Sequence, residues 1–324
     1  DRAGLVAGGS RVAASWRGGS GPLGDASTTM VAAAVTASLR ATGREALGRA
    51  PAGEDVAVRA FGAGVVAGLP ALRVRAGASG AFTATIPGEG DLAPGAAFEA
   101  AHLDARGHRS LAVARRPRFA LVVGEGSATG ETAPRALVEA ALDLEGATAG
   151  TARARADGDG LLTLDFRPSL VRSGQRFRAV AGDETVAFDV PALEIALDPP
   201  GRRVRGAAPP GAEVSVRVEA QGVPPWRRVV LADARGAWEL SESMLPEGVT
   251  IERIRSVEAW LDVDGHSVLA RDGALAPTPG PSGTPSATAS ITTPGAGTAT
   301  PSPTASASSR PHVLYAPYAR AARP

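Results

Sequence analysis

The chain of 324 residues contains no cysteine, no lysine and no asparagine. Without cysteine it can form neither a disulfide nor a thiolate metal site, and it offers no thiol nucleophile. Without asparagine it has no acceptor for N-linked sugars, because that modification needs Asn-x-Ser/Thr. An intramolecular bond between lysine and asparagine is excluded as well. Any glycosylation or intramolecular cross-link of this chain must therefore use residues other than cysteine, lysine and asparagine.

The chain also lacks a large net charge and long apolar runs. The 34 basic residues, all arginine, nearly balance 33 acidic ones and leave a net charge of +1. That balance gives no electrostatic reason to expect nucleic acid or a membrane surface as a partner. No apolar run approaches the roughly 18 residues of a membrane-spanning helix, so no membrane insertion is expected. Asp stands at position 1, which predicts a signal peptide removed before Asp1 and a secreted protein, extracellular or at the cell surface.

Glycine and proline are abundant, with 40 and 26 residues, and they separate short stretches in which apolar and polar residues alternate. The stretches 186–190, 193–197 and 213–219 are examples. A period of two is typical of half-buried β-strands, and no long segment has a convincing helical period. The sequence therefore predicts an all-β protein.

Three landmarks repeat along the chain in the same order, at steps between 74 and 82 residues. The first is a glycine followed by valine eight residues later. The second is an alanine followed by glycine at four residues and by a large apolar residue at six. The third is a glycine followed by Phe or Ile at three. Such a repeat indicates three homologous modules. The landmarks begin at Gly48, Gly130 and Gly206, at Ala76, Ala156 and Ala232, and at Gly95, Gly174 and Gly248.

Each landmark has a physical role in a β-sandwich. The Gly/Pro segment before valine is expected to be a loop that leads into a new strand, and Ala-Asp-x-x-Gly is expected to be a hairpin turn. The large residue after that turn, Phe82, Leu162 or Trp238, is expected in the core. About eighty residues with seven strands match an immunoglobulin-like sandwich. We therefore predict three tandem immunoglobulin-like β-sandwich domains, with extended non-globular termini, and place the domains at 29–116, 117–191 and 192–272.

The third module, 206–267, resembles the tandem bacterial immunoglobulin-like (Big-type) domains of large surface adhesins. Those domains share a Gly/Pro loop, a Val-x-Val strand, an Ala-Asp-x-x-Gly-x-Trp hairpin and a closing acidic glycine turn. The first module departs from the pattern with Gly77 in place of Asp, and the second has Leu162 in place of the aromatic residue. The resemblance implies a fold and a setting, because such modules serve as spacers, stalks and fibre segments. It implies no activity.

Residues 276–309 carry no charge and consist of 8 Thr, 7 Ser, 7 Pro, 7 Ala, 4 Gly and one Ile. Proline at this density favours an extended chain, and Ser, Thr and Ala cannot build a core. A flexible linker would explain 273–309, but this composition is also typical of mucin-like stalks, and we expect O-linked glycans here. The candidate sites are Thr278, Thr284, Ser286, Thr288, Thr292, Thr293, Thr298, Thr300, Ser302 and Thr304.

Both ends of the chain carry apolar residues without a module of their own. Residues 310–324 read RPHVLYAPYARAARP and hold both tyrosines, and 1–28 scatter apolar residues among glycines. A strand of this kind can add to the open edge of a sheet in another molecule. We predict a docking strand at 310–324, with a sorting segment as the alternative, and a second candidate inter-subunit strand in 1–28. The predicted assembly residues are Val313, Leu314, Tyr315, Tyr318, Leu5, Val6, Val12 and Trp16.

Few residues could do chemistry. His102, His108 and His266 flank turns, which is typical of surface histidines rather than of metal ligands. The Asp-Gly pairs in 157–160 and 262–265 resemble calcium loops but lack the further ligands that calcium needs, so tight turns are expected there. No nucleotide fingerprint, nucleophile elbow or metalloprotease helix is present. We therefore expect no enzyme, no metal and no cofactor.

The four tryptophans could form a sugar-binding platform. Trp238 and Trp260 occupy positions where the repeat predicts core packing. Trp226 follows Pro224-Pro225 in an expected loop, which leaves it as the candidate sugar contact.

Two functions fit these features. The first is a structural subunit of an extracellular filament or surface assembly, joined through terminal β-strands into a homopolymer and carrying an O-glycosylated tail. The alternative is a cell-surface adhesin or carbohydrate-binding accessory protein on a glycosylated stalk.

Overall fold

The computed structural model describes residues 11–16, 26–31, 33–40, 42 and 44–273. These residues form β-strands and two short 3₁₀ turns, which confirms the all-β fold class. The first two strands, β1 (Arg11–Trp16) and β2 (Ala26–Val31), pair antiparallel with each other as a two-stranded sheet. The strands that follow fall into three groups of seven.

Strand group 1 consists of β3 to β9, which form a three-stranded sheet in the order β3-β4-β7 and a four-stranded sheet in the order β6-β5-β8-β9. The two sheets enclose their own core, with Phe82, Ile86, Leu92 and Phe98 buried in it. The result is a β-sandwich. The strands are β3 (Thr36–Arg40), β4 (Glu45–Arg49), β5 (Asp55–Phe61), β6 (Leu72–Arg75), β7 (Ala81–Thr85), β8 (Ala97–Leu103) and β9 (Arg109–Arg115).

Strand group 2 repeats this arrangement with β10 to β16. Its three-stranded unit has the order β14-β11-β10, and its four-stranded sheet has the order β13-β12-β15-β16. The strands are β10 (Arg118–Val122), β11 (Ser127–Glu131), β12 (Leu137–Leu144), β13 (Ala147–Arg155), β14 (Leu161–Asp165), β15 (Arg176–Ala181) and β16 (Glu184–Asp189).

Strand group 3 repeats it once more with β17 to β23. Its three-stranded sheet is β17-β18-β21, and its four-stranded unit is β20-β19-β22-β23. The 3₁₀ turns Glu242–Met244 and Ile251–Arg253 lie between β21 and β22. The strands are β17 (Glu194–Asp198), β18 (Arg203–Ala207), β19 (Glu213–Ala220), β20 (Trp226–Leu231), β21 (Ala237–Ser241), β22 (Ile254–Val263) and β23 (His266–Gly273).

The repeated landmarks have definite places in these groups. Phe82, Leu162 and Trp238 are buried, as predicted. Each lies directly across the strand ladder from the glycine of the first landmark: Gly48, Gly130 or Gly206. The Gly/Pro segment before each valine is a loop that leads into a new strand, as predicted, but its first glycine lies in the strand before that loop. A glycine is required there because a Cβ would collide with a neighbouring aromatic ring.

The Ala-Asp-x-x-Gly elements are tight turns, but the prediction that they are hairpins was wrong. They join β6 to β7, β13 to β14 and β20 to β21, and in each pair the two strands belong to different sheets of the sandwich. Asp157 Oδ1 accepts hydrogen bonds from the backbone N–H groups of Asp159 and Leu161, both at 2.9 Å. Asp233 Oδ1 accepts in the same way from Arg235 and Ala237. The aspartate thus closes the turn through its own side chain, and the glycine after it has a positive φ.

Groups 2 and 3 are joined by a strand pair that the repeat did not predict. Strand β10 pairs parallel with β23, so the two units form one seven-stranded sheet in the order β14-β11-β10-β23-β22-β19-β20. One hydrophobic cluster also runs through both groups. The division of the chain into three immunoglobulin-like domains at 29–116, 117–191 and 192–272 stays a prediction.

Candidate interaction surfaces

The pairing of β10 with β23 is the tightest link between two strand groups. Ala120, Leu121 and Val122 align with Ser267, Val268 and Leu269. The ladder continues beyond β10, where the N–H of Val123 donates to the carbonyl of Leu269 at 2.8 Å. Strand pairing of this kind fixes the orientation of the two groups, since every backbone hydrogen bond in it depends on register.

His266 sits at the start of this junction and is buried. Its ring stacks on Phe188 with centroids 4.8 Å apart and planes 11° from parallel. Its Nδ1 accepts a hydrogen bond of 3.2 Å from the backbone N–H of Phe119, which requires a neutral imidazole. Burial, assisted by the nearby cations Arg116 and Arg118, lowers the pKa of His266 to about 4. His266 therefore connects the two groups as an uncharged aromatic residue.

The prediction that the turn-flanking histidines lie at the surface was wrong for two of them. His102 and His266 are buried, and only His108 is partly exposed, with its Nδ1 2.9 Å from Asp104 Oδ2. Strand alternation gives the reason for His266: it has the parity of Val268 and Ala270, which face the core. His102 occupies the position that Leu261 has in group 3, and within the described residues neither of its ring nitrogens has a hydrogen-bond partner.

The outer face of the seven-stranded sheet carries a row of side chains aligned across five strands. In strand order the row is Val229, Ser215, Trp260, Leu269 and Val122. The row runs through the junction from group 3 into group 2. Four of its five members are apolar, which makes it an apolar stripe on an otherwise polar face.

A charged row lies directly beside this stripe. Arg217 Nη1 is 3.6 Å from Glu258 Oε2, and Arg271 Nε is 2.9 Å from Glu258 Oε1. Arg271 also reaches Glu125 of group 2 at 3.1 Å, so the row crosses the junction too. Glu258 thus lies between two arginines, and the ion pairs of this row link β19, β22 and β23.

The tryptophan predictions need two corrections. Trp260 was expected in the core, but it lies on the outer face, because the residues of β22 that face inward are Val257, Ala259 and Leu261. The guanidinium carbon of Arg227 lies 5.0 Å from its ring centroid, a cation–π contact. Trp226, the candidate sugar contact, is half-buried and packs against the core of groups 2 and 3. Trp260 is therefore the outward-facing tryptophan of group 3.

Two strands at the ends of sheets carry exposed large apolar side chains. In group 1, Leu111 of β9 is 41% exposed, and Leu103 on the neighbouring β8 is 63% exposed. In group 3, Val229 and Leu231 of β20 are 56% and 67% exposed. Edge strands with apolar outward residues can accept another strand.

One structural residue had no signal in the sequence. Arg44 is buried with φ of 52° and caps two loops of group 1. Its guanidinium donates to the backbone carbonyls of Ile86 at 3.1 Å, Pro87 at 2.9 Å, Gly64 at 3.2 Å and Glu89 at 3.3 Å. The carbonyls come from distant parts of the chain, so only the fold brings them together.

Most predicted site residues lie outside the described residues. This holds for the stalk 273–309 except its first residue, for the docking strand 310–324 and for Leu5 and Val6. Val12 and Trp16 lie in β1, whose partner is β2 of the same chain. The ten O-glycosylation candidates and Val313, Leu314, Tyr315 and Tyr318 remain predictions.

Neither metal ligation nor membrane spanning has a candidate in the part of the chain that the structure describes. No cluster of three or more His, Cys, Asp or Glu side chains there could hold a metal ion. Among the same residues, no helix has the length and apolar character to cross a bilayer.

The chain matches no protein-family model and no curated protein. Among solved structures, it is similar to a tetra-tandem repeat in the extending region of a large adhesion protein, at 19% identity over 82% of this chain and 81% of that chain. It is also similar to the BSP domain of a biofilm-associated protein, at 10% identity over 76% and 66%, and to a Salmonella alpha-2-macroglobulin mutant, at 11% identity over 82% and 25%. The TM-score is 0.20 in each case. That value is too low for these similarities to assign a function or a partner to this chain.

Proposed function

We propose that this protein is a structural subunit of an extracellular filament or surface assembly. In this proposal the three strand groups form the body of the subunit, and terminal strands join it to further copies. The partners are copies of the same chain and O-linked glycans on 273–309. The protein is secreted, needs no cofactor and catalyses no reaction.

The observation that carries this proposal is the continuous sheet of groups 2 and 3. Tandem modules connected only by a linker can change their relative orientation, but a shared sheet removes that freedom. Strand β10 is held by backbone pairing, by the hydrogen bond to His266 and by the ion pair between Arg271 and Glu125. A body of this kind transmits tension along its length, as a filament subunit must.

The test is assembly of the purified full-length protein. We expect negative-stain electron microscopy to show polymers, and we expect a variant that ends at Ser309 to remain folded but unassembled. Circular dichroism of the shortened variant controls for folding. If the shortened variant forms the same polymers, 310–324 is a sorting segment. If the full-length protein forms none, the filament proposal is wrong.

A second function is favoured by one observation, the outward position of Trp260. A tryptophan on a sheet face, beside a row of polar and charged groups, is a common platform for a sugar ring. This supports the alternative of a cell-surface adhesin or carbohydrate-binding accessory protein. A glycan array discriminates: binding that Trp260→Ala abolishes and Trp226→Phe retains would favour the adhesin.

A further inference from the structure

Strand β9 of group 1 is the structural counterpart of β23 in group 3. Both are the last strand of their group and end the equivalent four-stranded units, β6-β5-β8-β9 and β20-β19-β22-β23. The registers of the last two strands agree as well. Ala101 of β8 pairs with Leu111 of β9, as Trp260 of β22 pairs with Leu269 of β23. Leu111 therefore has the position of Leu269.

The two strands differ in their second neighbour. The other edge of β23 is occupied by β10, which adds to it in parallel. Among the described residues, no strand pairs with the other edge of β9. Strand β3 lies beside β9, but β17 lies beside β23 in the same way and does not prevent β10 from pairing there. Among the described residues, the fold thus contains one completed strand addition, at β23, and two equivalent edges without it, those of β9 and of its group 2 counterpart β16.

The side chains on the edge of β9 suit an apolar strand. Leu111 is 41% exposed, whereas its counterpart Leu269 is half-buried beside Val122. The arginines at the two ends of β9 are ion-paired, Arg109 with Glu99 and Arg115 with Glu131. An incoming basic segment therefore meets compensated charges along β9.

The competing edges fit less well. Strand β20 also has exposed apolar residues, but it carries Arg227 and Arg228 where a basic segment would have to bind. Strand β16, the group 2 counterpart of β9, presents Thr185, Ala187 and Asp189 outward, which offer little apolar surface.

We propose that β9 is the acceptor edge for residues 312–316 of a second copy of this chain. This inference rests on the proposed function, since it names the partner of the assembly strand. The chain continues for 51 residues beyond Gly273, and Val313-Leu314-Tyr315 is the only run of three large apolar residues among them. The proline-rich stretch before it can extend by about 3.1 Å per residue, which lets the segment reach another molecule. Residues 310–324 contain three arginines and no acid, and the arginines at the two ends of β9 are already ion-paired with Glu99 and Glu131.

Disulfide trapping tests the proposal. Because the chain has no cysteine of its own, every cross-link must join two introduced cysteines. A Leu111→Cys protein is mixed with a Leu314→Cys or a Tyr315→Cys protein that carries a size tag, then oxidised. We expect a heterodimer on a non-reducing gel. Because side chains alternate along a strand, one of the two tail positions should cross-link at least about fivefold more than the other.

The matched controls place the cysteine on the competing edges, as Thr185→Cys on β16 and Val229→Cys on β20. Both positions are exposed, so accessibility alone would cross-link them equally well. A heterodimer with either control but not with Leu111→Cys overturns the proposal. So does a double variant, Leu111→Cys with Leu314→Cys, that cross-links only within one chain, because the occupant is then the chain's own segment.

A second measurement does not depend on polymer formation. A synthetic peptide of residues 310–324 should slow amide hydrogen exchange in 110–114 several-fold, and a peptide with Leu314→Asp and Tyr315→Asp should not. If polymers form but neither trapping nor exchange identifies β9, the acceptor lies elsewhere and the filament proposal stands. If the protein forms no polymers and the peptide does not protect β9, both proposals fail.

Discussion

The indole of Trp238 on β21 lies over the backbone of Gly206 on β18, in the space that a side chain at position 206 would need. A Cβ at Gly206 would come within 3.0 Å of the Trp238 ring and of the Glu194 carbonyl. Residue pairs in a packed core tolerate such an overlap only by shifting backbone or ring. The same relation holds between Gly48 and Phe82 in group 1.

We therefore expect Gly206→Ala to lower the free energy of unfolding by about 1–3 kcal/mol, the usual cost of overpacking a core. Urea denaturation followed by Trp fluorescence measures it. Gly158→Ala is the matched control, because a Cβ there meets no atom within 4 Å and φ is not in the left-handed region. If Gly206→Ala is as stable as Gly158→Ala, the contact between Trp238 and the strand is not tight.

The junction between groups 2 and 3 should weaken in mild acid. The folded protein holds His266 neutral with a pKa of about 4, and the unfolded chain protonates it near 6.5. The stability that His266 contributes is therefore complete above pH 6.5 and is lost as the pH falls from 6.5 towards 4. A shift of this size corresponds to about 3 kcal/mol.

Thermal unfolding between pH 4 and pH 7.5 checks this prediction. His266→Phe keeps an aromatic ring beside Phe188 but cannot take up a proton, so its stability should change less across the same range. At pH 7.5 the variant should be less stable by about 1 kcal/mol, because the Phe119 N–H loses its acceptor. A variant with the same pH slope as the wild type would show that other groups cause the acid sensitivity.

Arg44 should contribute more to the free energy of unfolding than any surface arginine of group 1. Arg44→Met removes a buried cation that donates to four backbone carbonyls and leaves those carbonyls without it. We expect a loss of about 2–4 kcal/mol, and faster amide exchange in 62–68 and 86–90. Arg40→Met is the control, since Arg40 is exposed and forms only a surface ion pair with Glu45. Equal effects of the two substitutions would contradict this role.

Native protein should carry sugars on several of the stalk threonines. The hydroxyl and proline content of 276–309 motivates this expectation. Intact-mass spectrometry of native material should give a mass above that of the bare polypeptide, with the excess confined to peptides from 273–309. A mass equal to that of the polypeptide rules the modification out.

The sequence predicted what depends on local pattern. Alternation identified the strands, the Asp-x-x-Gly elements form tight turns, and the large residue after each turn is buried. That these turns cross from one sheet to the other was not predicted. The same alternation would have placed Trp260 outward and His266 inward. Both predictions went wrong because the repeat landmarks and the neighbouring turns were given more weight than the parity of the adjacent residues.

The junction could not be predicted by such reasoning. Ala120 and its partner Ser267 are 147 residues apart, and neither strand carries a signal for the other. Every alternating strand can pair at both edges, so the choice depends on how two complete sandwiches fit together. The same is true of Arg44, whose acceptors are backbone atoms that any sequence provides.

The pairing of β10 with β23 also sets an order of folding. Strand β10 belongs to group 2, yet the strand that covers its edge is the last one of group 3. Synthesis proceeds at roughly 5–20 residues per second, so β10 has no parallel partner for on the order of ten seconds after it is made. The edge of β10 that β23 later covers stays unpaired until the chain has been synthesised as far as Gly273. A chain that ends before β23 therefore has an unpaired edge at β10, in its middle, and that edge can pair with a strand of another molecule.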